Sequence, residues 1–202
     1  MTEDVIKNIQ ELNDKRSKKE ILSECLLEIK WSKSSAWQFI ISLIGAFAVS
    51  ICATFFFNTV EATKIITSTF LDVQLAFFAV IFGAYAIFQA LMRDEIIKEL
   101  IRTENNILKD SNRTFLNLSI LYIGDIFITI LISLIANMCP KDFFIYNIDL
   151  SNGVYVILAF IYCAFNFLLI LENVNFVINL YRMFNVYNIY RALDVCDDEK
   201  KK

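Results

Sequence analysis

Four apolar stretches, 37–57, 70–92, 115–138 and 154–176, each match the length of a helix that crosses the hydrocarbon core of a bilayer, and this limits the fold more than any other feature. Backbone polar groups have no water to bond inside a bilayer, so a spanning segment must satisfy them within itself or in a closed barrel. The chain has only four Gly and one Pro in 202 residues, too few to punctuate the many turns of a barrel. The sequence therefore predicts an all-α, polytopic membrane protein with four transmembrane helices. Charged residues make up 20% of the chain and collect at its ends and in one connection, as a bilayer solvent requires.

Insertion of the third and fourth stretches has to overcome an acid each. Leu, Ile, Phe and Val contribute roughly −0.3 to −0.6 kcal/mol apiece on the insertion scale, against about +3 for a central Asp. The third stretch is rich enough in these residues to insert despite Asp125, and the fourth carries Glu172 near one end, where the side chain reaches the headgroups.

Basic residues set the expected orientation. Lys7, Lys15, Arg16, Lys18, Lys19, Lys30 and Lys33 precede the first span, and Arg93, Lys98, Arg102, Lys109 and Arg113 lie between the second and third. Arg182, Arg191 and Lys200 to Lys202 follow the fourth, whereas the first and third connections hold one each, Lys64 and Lys141. This asymmetry predicts cytoplasmic termini (N-in, C-in) and a cytoplasmic loop 93–114, in a multi-pass protein of the cell inner membrane. No cleavable signal is expected in 1–36, which is charged and lacks a long apolar core.

The soluble segments also read as helical. Val5, Ile9 and Leu12, then Ile21, Leu22, Cys25, Leu26 and Ile29, recur at helical spacing and predict two short amphipathic helices in 1–36. Ile96, Ile97, Leu100, Ile101, Ile107 and Leu108 continue the second helix, and the fourth continues to about Cys196, so 179–202 is a cytoplasmic helix and tail beyond the membrane domain 37–178. These extensions either pack together as a small cytoplasmic bundle or present an apolar stripe to another copy or a soluble partner.

Two patterns stand out within the spans. Ala76, Ala79, Gly83, Ala86 and Ala90 form a seam of small residues at spacings of 3, 4, 3 and 4, and Ser42, Ala46 and Ser50 form a ridge on the first span. Small residues let helix backbones approach where lipid and Leu are equally apolar, so the two either pack on each other within one subunit or the seam joins subunits. The other pattern is polar residues at depth. Counting from the inner ends puts Asp125, Tyr85 and Asn166 near the midplane, with Gln89, Asn117 and Glu172 in a shallower layer. Asp125 is expected to be protonated, hydrogen-bonded or open to a water-filled cavity. Glu172, Asn175, Asn179 and Arg182 share one face of the fourth helix, either as an amide ladder or as a vestibule favouring cations.

Several chemistries find no motif. The chain has no His, no HExxH and no phosphate-binding loop, and its five Cys are scattered, so no catalytic, metal or cofactor site is predicted and an enzyme is not expected. A net charge of −3 gives no reason to expect direct nucleic-acid binding.

The segment 76–101, AFFAVIFGAYAIFQALMRDEIIKELI, together with four spans in about 200 residues, resembles the membrane components of bacterial anti-phage systems, most nearly the KwaA subunits of Kiwa. The resemblance is one of size, topology and texture. It implies a homo-oligomer of the inner membrane that senses phage-induced disturbance and works with a cytosolic, KwaB-like effector that engages DNA. It carries no site residues onto this chain. The expected function is thus an oligomeric membrane sensor or scaffold that recruits an effector through its cytoplasmic helices. The alternatives are an ion channel or membrane-perturbing effector, and then a small transporter.

Overall fold

The computed structural model describes residues 17–28, 36–91, 107–140, 143 and 148–200. Among them there is no strand. Five helices follow in order: α1 Lys18–Glu28, α2 Ala36–Phe56, α3 Thr59–Leu91, α4 Ile107–Met138 and α5 Ile148–Lys200. The last four are long and apolar enough to cross a membrane. The sequence-predicted helix over Val5 to Leu12, and most of the cytoplasmic extension after Met92, lie outside the described residues.

Local chemistry marks the helix ends. Ser17 and Glu20 form a reciprocal capping box at α1: Ser17 N donates to Glu20 Oε2 at 2.7 Å and Glu20 N donates to Ser17 Oγ at 3.3 Å. Asn58 caps α3 by accepting from Glu61 N at 2.8 Å, so α2 and α3 are separated only by Phe57 and Asn58. Residues 59–69, read from sequence as a connection, are helical for this reason. Pro140 follows the end of α4 and supplies no backbone donor to continue it. Asn58→Ala is expected to cost about 1 kcal/mol by removing the cap, read as a lower denaturation midpoint in detergent.

Helix α5 is 53 residues long, about 80 Å at 1.5 Å per residue, so it continues far beyond a core of about 30 Å. Of the four long helices, α2 packs chiefly along α5 and α3 chiefly along α4, while contact between α3 and α5 joins the pairs. The short helix α1 lies on α4. Two apolar clusters fill the bundle. One gathers Ala46, Ala53, Ala62, Ile66, Phe70, Cys163 and Ala164; the other gathers Ile81, Leu118, Tyr122, Leu169 and Phe176.

The exposed surface of the four long helices is largely apolar, the inverse of a water-soluble bundle. Ile44, Phe47 and Phe55 on α2, Ile128 and Ile135 on α4, and Ile157, Leu158 and Ile161 on α5 are exposed, as contact with lipid chains requires.

Candidate functional site

The polar side chains that a bilayer makes costly converge between the two apolar clusters. On α4, Tyr122, Asp125 and Thr129 follow spacings of 3 and 4; on α5, Tyr162, Asn166, Leu169 and Asn173 follow 4, 3 and 4. Each set therefore shares one helix face, and the two faces meet at Gln74 of α3. Gln74 Nε2 lies 2.7 Å from Asp125 Oδ2, 2.6 Å from Asn166 Oδ1 and 3.0 Å from Thr129 Oγ1. The Thr129 hydroxyl is 2.7 Å from that of Tyr162, and Asn166 Nδ2 donates to the Tyr162 carbonyl at 3.1 Å. Gln74, Asp125, Thr129 and Asn166 are all buried. Phe70 closes one side of the cluster, with its ring 5.7 Å from that of Tyr162 in an edge-to-face contact.

An amide nitrogen carries two protons and here faces three oxygens, while the buried Gln74 Oε1 has no partner. Gln74 and Asn166 each make three hydrogen-bonding contacts. Of the environments open to Asp125 from sequence, the structure supplies the hydrogen-bonded one.

A second pair stands toward the end of the bundle where α2 begins. Tyr122 Oη accepts from Asn173 Nδ2 at 2.8 Å and donates to the Leu169 carbonyl at 3.2 Å. Beyond it, Gln38 and Asn175 exchange amide hydrogen bonds of 3.2 Å each, and Asn175 Nδ2 also donates to Glu172 Oε2 at 3.0 Å. The Glu172 and Asn175 part of the predicted stripe therefore ties α5 to α2, while Asn179 and Arg182 remain exposed.

Other sequence-predicted positions fall elsewhere. Tyr85 donates to Asn112 at 3.0 Å and stacks on Phe115 at 3.7 Å, so it is not in the Asp125 and Asn166 layer. Gln74 takes the expected place, 11 residues earlier and about 16 Å along the helix. The cause is the two-residue turn at Phe57 and Asn58, which starts α3 early and shifts its whole register. The shallower layer also separates. Asn117 accepts from Cys25 Sγ of α1 at 3.3 Å, Glu172 pairs within α5, and Gln89 is exposed.

The small-residue patterns do not pack on each other. Ser42, Ala46 and Ser50 are buried on the face of α2 that meets α5, where a Cβ on Gly45 would come within 3.4 Å of the Phe167 ring. Ala76, Ala79, Gly83, Ala86 and Ala90 are all exposed on α3, and nothing lies within 4 Å of where a Gly83 Cβ would stand. Packing of this seam against α2 within one subunit is corrected accordingly: the ridge of α2 is occupied by α5.

Near the connection between α4 and α5, a groove of about 340 Å³ opens between α3, α4 and α5. Its floor includes buried Val60 and Ala136, and its rim includes exposed Ile135 and Leu158, so it is continuous with the lipid-facing surface. Among the described residues no group of His, Cys, Asp and Glu is arranged to hold a metal ion. No family model, curated protein or solved structure matches the chain.

Proposed function

We propose that this chain is a self-associating membrane scaffold of the bacterial inner membrane, with both termini in the cytoplasm, that couples events in the bilayer to a cytosolic effector. The observation that carries the reading is the exposed seam of α3. Alanine and glycine occupy the middle of that face from Ala76 to Ala90, and no helix among the described residues covers them. A lipid-facing helix gains nothing from such a line, whereas a helix facing a second backbone gains close van der Waals contact along it. The basic residues around the termini and in 93–114 support the orientation. The long cytoplasmic reach of α5, with Tyr181 and Ile189 exposed, supplies a surface for the effector. A role in anti-phage defence, with a KwaB-like partner, rests on the resemblance described above.

Gly83→Leu is the direct test. It fills the middle of the seam without touching the subunit's own core, so the purified protein is expected to pass from oligomer to monomer by light scattering while keeping its helical content. An unchanged mass, or a wild-type protein that is monomeric in membranes by cross-linking, removes the reading. Loss of cytosolic proteins that co-purify with the full chain, on truncation of α5 after residue 180, tests the effector arm.

The alternative of an ion path through one subunit is less well supported. Asp125 accepts from Gln74 and Asn166, and Thr129 and Tyr162 pair beside them, so the core reads as a lock between helices rather than an open route.

A further inference from the structure

The groove between α3, α4 and α5 is a gap that the chain leaves unfilled in an otherwise packed bundle. Its volume, about 340 Å³, is at the small end of the pockets of about 300–1,000 Å³ that hold small molecules. It opens where the two helix pairs join: α4 belongs to one pair, α5 to the other, and the two touch each other little. Depth follows from the helix ends. The apolar spans start at Thr59 and Ser151 and end at Met138, and Thr59, Ser151 and Cys139 form the mouth of the groove. Ile132 and Leu158 lie seven residues further in than Cys139 and Ser151, about 10 Å at 1.5 Å per residue. The groove thus has polar groups at its mouth, where headgroups meet chains, and hydrocarbon at its inner end.

The walls decide what can enter. Thr63 and Tyr155 line the groove, but the Thr63 hydroxyl donates to the Thr59 carbonyl at 2.7 Å and the Tyr155 hydroxyl is buried, so the surface they present is mostly hydrocarbon. An apolar cavity does not hold water. A neighbouring helix is a poor fit too. Helices associate in lipid where small residues let backbones approach, and this opening is bracketed by the exposed side chains of Ile135, Val154 and Leu158. A slender, flexible chain passes between such side chains where a helix cannot. The occupant that fits is apolar along its length, polar at the end nearest the mouth, and present in the bilayer that borders the opening. An acyl chain below its ester group meets all three conditions.

We propose that the groove binds one acyl chain of a bilayer glycerolipid, with the ester end at Thr59 and Ser151 and the methylenes running inward toward Ile132 and Leu158. Lipid is as apolar as the groove, so affinity comes from close packing: the chain gives Val60, Ala136 and the Tyr155 ring the contacts that a gap denies them. Because α4 and α5 come from different pairs, the bound chain fills the cleft between the pairs. It joins them at the end of the bundle opposite the Gln38 and Asn175 hydrogen bonds. The site needs the membrane spans alone and stands whether or not the chain self-associates.

The experiment uses the full natural chain in vesicles of phosphatidylethanolamine and phosphatidylglycerol, doped with a phosphatidylcholine that carries a photoreactive diazirine on one acyl chain. With the diazirine next to the ester, peptide mass is expected to find label at Thr59, Cys139 and Ser151; with it further along the chain, at Ile132 and Leu158. Both are expected to exceed the label on Ile44 and Phe47, which face lipid on α2. Native mass spectrometry of the chain purified in mild detergent is expected to show one glycerolipid that survives extended washing. Ala136→Phe fills the floor of the groove and is expected to lose both adduct and groove label while keeping helical content, whereas Ile161→Phe, on the exposed side of α5, keeps both. The label map of the natural chain is decisive even if Ala136→Phe does not fold. Label as strong on Ile44 and Phe47 as in the groove overturns the proposal, and so does an ester-proximal probe that marks the inner end. An adduct of detergent or free fatty acid alone overturns it too. A high yield of interchain disulfide through Cys139 on mild oxidation puts a second copy over the opening and has the same consequence.

Discussion

Gln74→Leu is expected to destabilise the bundle by about 2–3 kcal/mol, measured as a lower midpoint of denaturation in mixed detergent micelles. The change removes the nitrogen that faces Asp125, Asn166 and Thr129 and leaves the Asp125 carboxylate buried with only a marginal contact, Asn166 Nδ2 at 3.5 Å. Leaving a buried acceptor unpaired costs more than the hydrogen bond itself contributes, and the more so for a group able to carry charge. Membrane proteins soften such losses because the unfolded chain in lipid also finds partners, which sets the expected size below that of a soluble core. Two companion variants separate pairing from packing. Asp125→Asn keeps shape and an acceptor oxygen and is expected to stay within about 1 kcal/mol of the parent, and Gln74→Leu with Asp125→Leu is expected to recover only part of the loss, because the Asp125 acceptor is gone but Asn166 Oδ1 still lacks the donor that Gln74 supplied. A double variant as unstable as the single would show that packing, not pairing, dominates here.

Ala46→Leu is expected to destabilise by a similar amount, about 2–3 kcal/mol, for the opposite reason. Ala46 is fully buried in the ridge of α2 that meets Cys163 and Ala164 of α5, and there is no room for three more carbons unless the helices part. The neighbouring Ile44 is exposed on the lipid side, so Ile44→Ala is expected to change stability by less than about 0.5 kcal/mol. Thermal denaturation followed by far-UV circular dichroism compares the two; equal losses would place α2 in a different orientation from the one described.

Individual residues show how far the sequence can be read. Asp125 and Asn166 stand at the centres of their apolar stretches, and counting inward from the ends is enough to pair them. The same count places Tyr85 with them, yet it lies elsewhere, because hydropathy assigns residues 59–69 to a connection while the Asn58 cap makes them helical. Gln74 escapes notice because it sits four residues inside its apolar stretch, where a polar residue reads as an interface anchor. The spacings of Tyr122, Asp125 and Thr129, and of Tyr162, Asn166 and Asn173, are sequence signals that mark two polar faces; what those faces meet is not. The Glu172 stripe divides for the same reason, since only Asn175 comes within reach of Gln38.

The sequence by itself determined that the chain is all helical, that four helices are long and apolar enough to span a membrane, and that polar groups sit at depth within them. Those properties depend on composition and period along a single chain, and they survive any arrangement of the helices. Only the tertiary structure decided which helices pair, that the ridge of α2 is consumed by α5, that Gln74 meets Asp125, and that the small-residue seam of α3 is left facing outward. Pairing depends on shape and hydrogen-bond complementarity between distant segments, and a shift of α3 along its axis, set by a two-residue turn, changes every partner without altering the hydropathy that made it a membrane helix.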